Sequence, residues 1–128
     1  MCRLFGLHAG AEDVDATFWL LDAPFSISEL SHRNPDGYGL ATFTAAGEMS
    51  VVKRPARAAE DEEFARHARA THAEVHLAHV RYADTGPVTL PNTHPFMLDG
   101  RVFAHNGVVG DLDELDRRLG TDRSLVAG

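Results

Sequence analysis

The chain opens Met1-Cys2-Arg3-Leu4-Phe5-Gly6, and Cys2 is the single cysteine among 128 residues. A cysteine in second position becomes the amino-terminal residue once the initiator methionine is removed, and a small second side chain permits that removal. The freed α-amine has a reference pKa of about 7.7–8.0. Much of it is close to neutrality at cellular pH and can take the thiol proton, directly or through one water. Nucleophile and base then belong to one residue, as in the pairing of a threonine with its own terminal amine. A thiolate suits acyl transfer from an amide, because the thioester that forms is readily hydrolysed. If Met1 stays attached, the amine is acylated and that base is lost. The competing reading is structural, since free cysteine is a small hydrophobe that is often buried.

Three further stretches carry chemistry. In Ala104-His105-Asn106-Gly107 a strand ends in Asn-Gly. Such an ending can bring one side-chain amide and one backbone N–H to a common point, the geometry of an oxyanion hole. It is also the strongest short hairpin signal. Arg81, near the end of the apolar run 74–83, needs a partner if buried, and its planar fork matches a carboxylate. Asp36, Asp84 or a substrate carboxylate are the candidates. In His32-Arg33-Asn34-Pro35-Asp36-Gly37 the proline and glycines predict a turn in which Arg33 and Asp36 can pair, with Gly37 and Gly39 allowing close backbone approach. Eight histidines invite a metal reading. Yet His76 and His79 point to opposite faces of a strand, and no metal-ligand spacing such as His-Glu-x-x-His occurs. No metal and no cofactor are expected; His94 and His105 are expected to hydrogen-bond around the site or support it.

The elements that must position these residues follow from periodicity and turn chemistry. Residues 2–8 read as a mostly buried strand. Residues 13–23 read as a helix capped by Asp13 or Asp15, with Val14, Phe18 and Leu21 on one face; Pro24 stops it, and a short helical stretch follows through Ile27 and Leu30. Residues 38–45 and 48–54 form a hairpin about Ala46-Gly47. Residues 58–70 read as a helix with acids first and bases later, matching its dipole, and with Phe64 and Ala68 inward. Residues 74–83 alternate as a strand, 84–95 form a loop, and 101–107 form a strand. Residues 111–119 form a last helix with Leu112, Leu115 and Leu119 inward. Ser124–Val126 read as the start of another element. Strands interleaved with helices in this order suggest antiparallel sheets with helices packed outside.

Composition narrows the function. A net charge of −7, with no lysine/arginine cluster, argues against nucleic acid. The amino terminus lacks a secretory layout, no apolar run can span a bilayer, and one cysteine suits a reducing compartment. A cytoplasmic protein with no membrane partner is expected.

Taken together, Cys2, the 32–37 segment, Ala78-His79-Val80-Arg81, Asn92-Thr93-His94-Pro95-Phe96 and Ala104-His105-Asn106-Gly107 resemble, in order and rough spacing, the class II glutamine amidotransferases. These are N-terminal-nucleophile hydrolases. The chain looks most like the small standalone branch that includes an amidase of ergothioneine synthesis. The resemblance implies an α+β fold, an αββα four-layer sandwich of antiparallel sheets. It implies that Cys2 attacks the side-chain amide of glutamine or a γ-glutamyl compound, that Asn106 and the Gly107 N–H hold the oxyanion, and that Arg81 binds the substrate α-carboxylate. Thr93, His94 and His105 line the substrate side in that picture, while Arg33, Asp36 and Gly37 are scaffold.

The family domain is longer than this chain. Residues 1–128 are expected to correspond to its amino-terminal part, and the Asp-Ser-Glu-type motif that reads the substrate α-amino group is expected to begin at about Gly128. An incomplete sandwich is therefore expected, one that folds poorly or oligomerises as an isolated segment. Within the enzymatic reading the alternatives are a standalone amidase and an ammonia-supplying subunit for a synthase partner. A non-catalytic regulatory domain of the same fold, and a homo-oligomer, are the other possibilities.

Overall fold

The computed structural model describes residues 1–120; the expectation placed on Ser124–Val126 lies outside them. In chain order the elements are β1 (Arg3–His8), β2 (Val14–Asp15), a π-helical turn (Phe18–Asp22), α1 (Ile27–Leu30), β3 (Tyr38–Phe43) and β4 (Met49–Arg54). A 3₁₀ turn (Ala58–Glu60), α2 (Glu62–Ala70), β5 (His72–Ala73), β6 (Val75–Val80), β7 (Phe96–Leu98), β8 (Arg101–Phe103) and α3 (Leu112–Leu119) follow.

The main sheet runs β1-β6-β3-β4 and is antiparallel throughout. Residues directly opposite one another share a face, so the register sorts side chains into two sets. Phe5, Ala78, Leu40 and Val52 stand in one row, and Val80 and Tyr38 in the next. This face packs on the helices, against Ala16, Leu20, Ile27, Ala58, Phe64 and Ala68. The Tyr38 and Phe64 rings meet edge to face at 5.0 Å between centroids. Fully burying a phenylalanine is worth about 1.5–3 kcal/mol, so Phe64 fastens α2 to the sheet. Asp61 caps that helix by accepting from the Glu63 N–H. Ser26 caps α1 in the same way through the Glu29 N–H at 3.1 Å.

The opposite face carries the row Leu4, His79, Gly39, Lys53. Gly39 leaves a gap in this row, and the backbone of His94-Pro95 lies in the gap. A β-carbon at position 39 would stand 2.1 Å from the His94 carbonyl oxygen and 2.5 Å from Pro95 Cδ. The hairpin β7–β8, turned by Asp99-Gly100, continues from this strap. The antiparallel sheet under helices agrees with the expected fold class. The described residues place one layer of helices on one sheet with a single hairpin on the far face, and do not by themselves build four layers.

Several local expectations are corrected. Residues 13–23 do not form one helix: Val14 and Asp15 pair with Ala73 and His72, and the Asp15 carboxylate binds the Thr17 N–H, so helical turning begins only there. The π turn rotates the apolar positions, burying Leu20 and leaving Phe18 exposed. β1 is an edge strand and only half-buried, at Phe5 and Leu7. In β6 the alternation holds, but His76, Ala78 and Val80 are the buried set while Val75 and Leu77 are half-buried, because the helices cover only one face. The 96–98 strand fell inside no expected element. In α3, Leu112 is exposed, and no residue of that helix is buried.

Gly39→Ala should destabilise the protein by about 3 kcal/mol, the upper part of the usual overpacking range, because backbone rather than a flexible side chain occupies the space. Chemical denaturation checks this; a change under about 0.5 kcal/mol would mean the strap is not seated over β3.

Candidate active site

The pairing of β1 with β6 sets Arg3 opposite Val80. One step further along, Cys2 comes opposite Arg81, on the face that bears His79. There the Cys2 thiol meets the backbone of Tyr82: Sγ accepts from the Tyr82 N–H at 3.2 Å and lies 3.5 Å from the Tyr82 carbonyl oxygen. Cys2 is half-buried, so the sulfur is held yet reachable.

The Tyr82 backbone is itself fixed from the 32–37 turn. Asp36 donates its N–H to the Arg81 carbonyl at 3.0 Å, and its Oδ2 accepts from the Ala83 N–H at 2.8 Å. The Arg81 N–H bonds the Gly37 carbonyl at 2.7 Å. Gly37 has φ +144°, a conformation few side chains tolerate, and a β-carbon there would crowd Thr93 at 3.1 Å. The expected Arg33–Asp36 pair does not form among the described residues. Arg33 is exposed, and the carboxylate is engaged by the Ala83 amide instead.

Asn106 donates from Nδ2 to the Cys2 carbonyl oxygen at 2.8 Å. The Asn106-Gly107 bend thus sits beside the cysteine although 104 positions separate the two residues in sequence. Residues 104–107 form no hairpin turn. The strand ends at Phe103, and Gly107 takes φ +156°, which leaves its surroundings open.

Arg81 is buried, with 6% of its surface exposed. It pairs with neither Asp36 nor Asp84. Its Nη1 donates to the Pro87 carbonyl at 3.0 Å and its Nη2 to the Thr85 carbonyl at 2.9 Å, so the 85–87 backbone wraps the guanidinium. Asn92 Nδ2 donates to the same Pro87 oxygen at 3.1 Å.

Thr93 and His94 are both buried in the strap. The Thr93 hydroxyl donates to the Thr89 carbonyl at 2.8 Å. The His94 ring is the centre of a stack, 4.2 Å from the ring of His79, 4.8 Å from His105 and 4.4 Å from Phe96. None of the ring nitrogens of His79 or His94 finds a hydrogen-bond partner among the described residues. Burial disfavours their protonated forms. It pushes His79 down to about 4, against a small opposing pull from the His105 backbone. It pushes His94 down to about 3, and repulsion from the charge that His79, His105, Arg81 and Lys53 carry when protonated adds to this. Among the described residues no group of three or more His, Cys, Asp or Glu side chains is arranged to hold a metal ion.

Three participants escaped the sequence reading. The Tyr82 amide has no side-chain signature. His79 was read as half of a metal pair and as part of the Ala78-His79-Val80-Arg81 motif, with no role of its own. Lys53 donates to the carbonyls of Thr93 and Pro95 at 2.8 and 3.1 Å, and its place opposite Gly39 followed from the hairpin register alone.

Comparison with known proteins gives the family of the chain. Residues 1–123 match the family described as glutamine amidotransferases class-II, and the chain belongs to that family. It is 31% identical over 119 residues to the glutamine–fructose-6-phosphate aminotransferase (isomerizing) of Xylella fastidiosa strain Temecula1, covering 93% of this chain and 18% of that protein. The enzyme of the same name from Escherichia coli K12 is 29% identical over 99 residues, or 73% of this chain and 15% of that protein. An uncharacterized protein of Methanocaldococcus jannaschii is 29% identical over 125 residues, or 91% of this chain and 32% of that protein. The chain therefore spans less than a third of each of these relatives. Among the described residues no helix is long and apolar enough to cross a membrane.

The two depressed histidines set a pH dependence. Unfolded, both take up protons near the ordinary value of about 6.5; folded, they wait until about 4 and 3. The unfolded chain binds more protons in between, so this contribution to stability is complete above pH ~6.5 and is lost as pH falls toward 4 and then 3. Urea midpoints between pH 7 and 4 should fall less steeply in His94→Gln than in the parent; identical slopes would show that the stack does not resist protonation.

Proposed function

We propose that this chain hydrolyses the side-chain amide of glutamine, or of a γ-glutamyl compound, through a thioester on Cys2. The observation that carries the reading is the meeting of three groups. The Cys2 sulfur is hydrogen-bonded by the Tyr82 amide, the Asn106 amide lies 2.8 Å from the Cys2 carbonyl, and Gly107 follows in an open conformation.

With Met1 removed, the Cys2 α-amine takes the thiol proton and sulfur attacks the amide carbon. The C=O electron pair moves to oxygen, which the Asn106 Nδ2–H and the Gly107 N–H receive. The C–N bond then breaks and ammonia leaves with the proton held on the α-amine. Water, deprotonated by the same amine, attacks the γ-glutamyl thioester. The S–C bond breaks, glutamate forms and the thiol recovers its proton. Arg81 is the group for a substrate α-carboxylate, because it is the buried guanidinium on the face and at the strand end where Cys2 lies. Thr93, His94 and His105 support the site rather than react, since Thr93 and His94 are buried and the His94 ring packs between those of His79 and His105.

Supply of the ammonia to a synthase partner is the second reading. Its support is the activity named for two of the relatives, the glutamine–fructose-6-phosphate aminotransferases (isomerizing). Glutamate release from glutamine and from γ-glutamyl compounds, with Met1 removal verified by intact mass, tests both. Asn106→Ala should lower kcat by about 10²–10³ with little change in KM, the usual cost of one oxyanion donor. A glutamine-mimicking electrophile should label Cys2 in parent and variant alike. No release and no labelling in the parent would leave a domain that keeps the fold without turnover.

A further inference from the structure

We propose that Lys53 is a positioning residue that holds both arms of the site at once; the proposal rests on the roles given above to Arg81 and Asn106. Lys53 stands in the cross-strand row with Gly39 and His79, and the empty place at Gly39 receives the His94-Pro95 backbone. The strap is therefore bounded by Lys53 on one side and by the His79 ring on the other. From its side Lys53 donates to the carbonyls on both flanks of His94, those of Thr93 and Pro95.

Each of those carbonyls begins a different path. Backward from Thr93, the strap bonds to Thr89 and Leu90, and Asn92 bonds to Pro87, whose carbonyl oxygen also caps Arg81. Forward from Pro95, the Lys53 ammonium stands 5.5 Å over the Phe96 ring. Phe96 packs on His94, and His94 packs edge-on against His105, the residue before Asn106. One ammonium thus sets where the guanidinium loop ends and where the oxyanion donor begins. A lysine suits the place because its compact head offers three N–H donors on one atom and can point at two carbonyls only two residues apart. Burial of the ammonium lowers its pKa, a cost that a merely decorative lysine would avoid by reaching into solvent.

The test compares Lys53→Met with Lys53→Arg in the full-length protein with Met1 removed. Rates are divided by the fraction of Cys2 that a glutamine-mimicking electrophile can titrate, so that loss of folded protein does not count as loss of rate. Lys53→Met should lower kcat per titrated site roughly 10–100-fold, the scale of a misplaced catalytic group. It should also move the Asn106 side-chain amide resonances. Lys53→Arg, which keeps N–H donors, should restore both in part. If Lys53→Met does not fold, Lys53→Gln carries the same comparison. A per-site kcat equal to the parent's, with only the titratable fraction reduced, overturns the proposal and leaves Lys53 as a stabilising contact. If the parent releases no glutamate, the amidase reading fails on its own. The Asn106 resonances then decide: movement supports the Lys53 link and no movement refutes it.

Discussion

The antiparallel pairing of β1 with β6 is the constraint on which the site depends. It joins the first residues of the chain to residues 75–80, so the sulfur of Cys2 finds the Tyr82 amide only if that register is correct. A slip of one residue would turn every side chain of β1 to the other face. Phe5 and Leu7 prevent the slip, because they must meet the helix-side core while Leu4 and Gly6 face the other way. The chemistry at the amino terminus is thereby registered by hydrophobic burial several residues away. An edge strand suits this duty. Its position leaves Cys2 half-buried, whereas a central strand of the same sheet buries His79 and Val80 completely.

The second requirement is the vacant place in the row that crosses the sheet. A glycine within a strand weakens it unless another backbone approaches closely, and at Gly39 one does. The strap seated there carries polar carbonyls into a largely buried space, where unpaired they would each be costly. Lys53 satisfies two of them, and the neutral imidazoles of His79 and His94 complete the packing. The same arrangement accounts for a mixed electrostatic environment. Around the strap, Lys53 and Arg81 carry positive charge and are both bonded to backbone carbonyls, and His79 and His94 between them are held neutral by burial.

Much of this was legible before any coordinates. The hairpin 38–54, the inward Phe64 and Ala68 of α2, the short helix after Pro24 and the close backbone approach at Gly37 and Gly39 all followed from periodicity and turn chemistry. The meeting of Cys2 with Asn106 was expected from chemistry and motif order rather than from spacing. What escaped was decided by contacts distant in sequence. The 13–23 segment has helical spacing, but Val14 prefers Ala73 as a strand partner and Asp15 spends its carboxylate on Thr17. Arg81 was given Asp36 and Asp84 as internal partners and took backbone carbonyls instead, which leave no mark in composition. Tyr82 contributes through its backbone, which every residue shares.

The two faces of the sheet are used differently, and this bears on the expected four layers. The helix-side face is closed: Tyr38, Leu40, Ala78 and Val80 are all buried. On the other face the strap and the β7–β8 hairpin lie over the row of His79, Gly39 and Lys53. The adjoining rows, through Gly6, Leu77, Ala41 and Val51 and through Val75, Phe43 and Met49, are half-buried or exposed apart from the buried Ala41, and Gly6, Leu77, Val75 and Phe43 border an open hollow of about 410 Å³ beside Val102. A second sheet layered here would stack on apolar residues already presented with the right alternation. Cys2 and Arg81, the groups given the proposed chemistry, lie at the covered end of this face, where backbone carbonyls and amides are concentrated, and the apolar rows lie at the open end. The proposed chemistry is thus gathered at one end of a surface whose other end presents apolar rows.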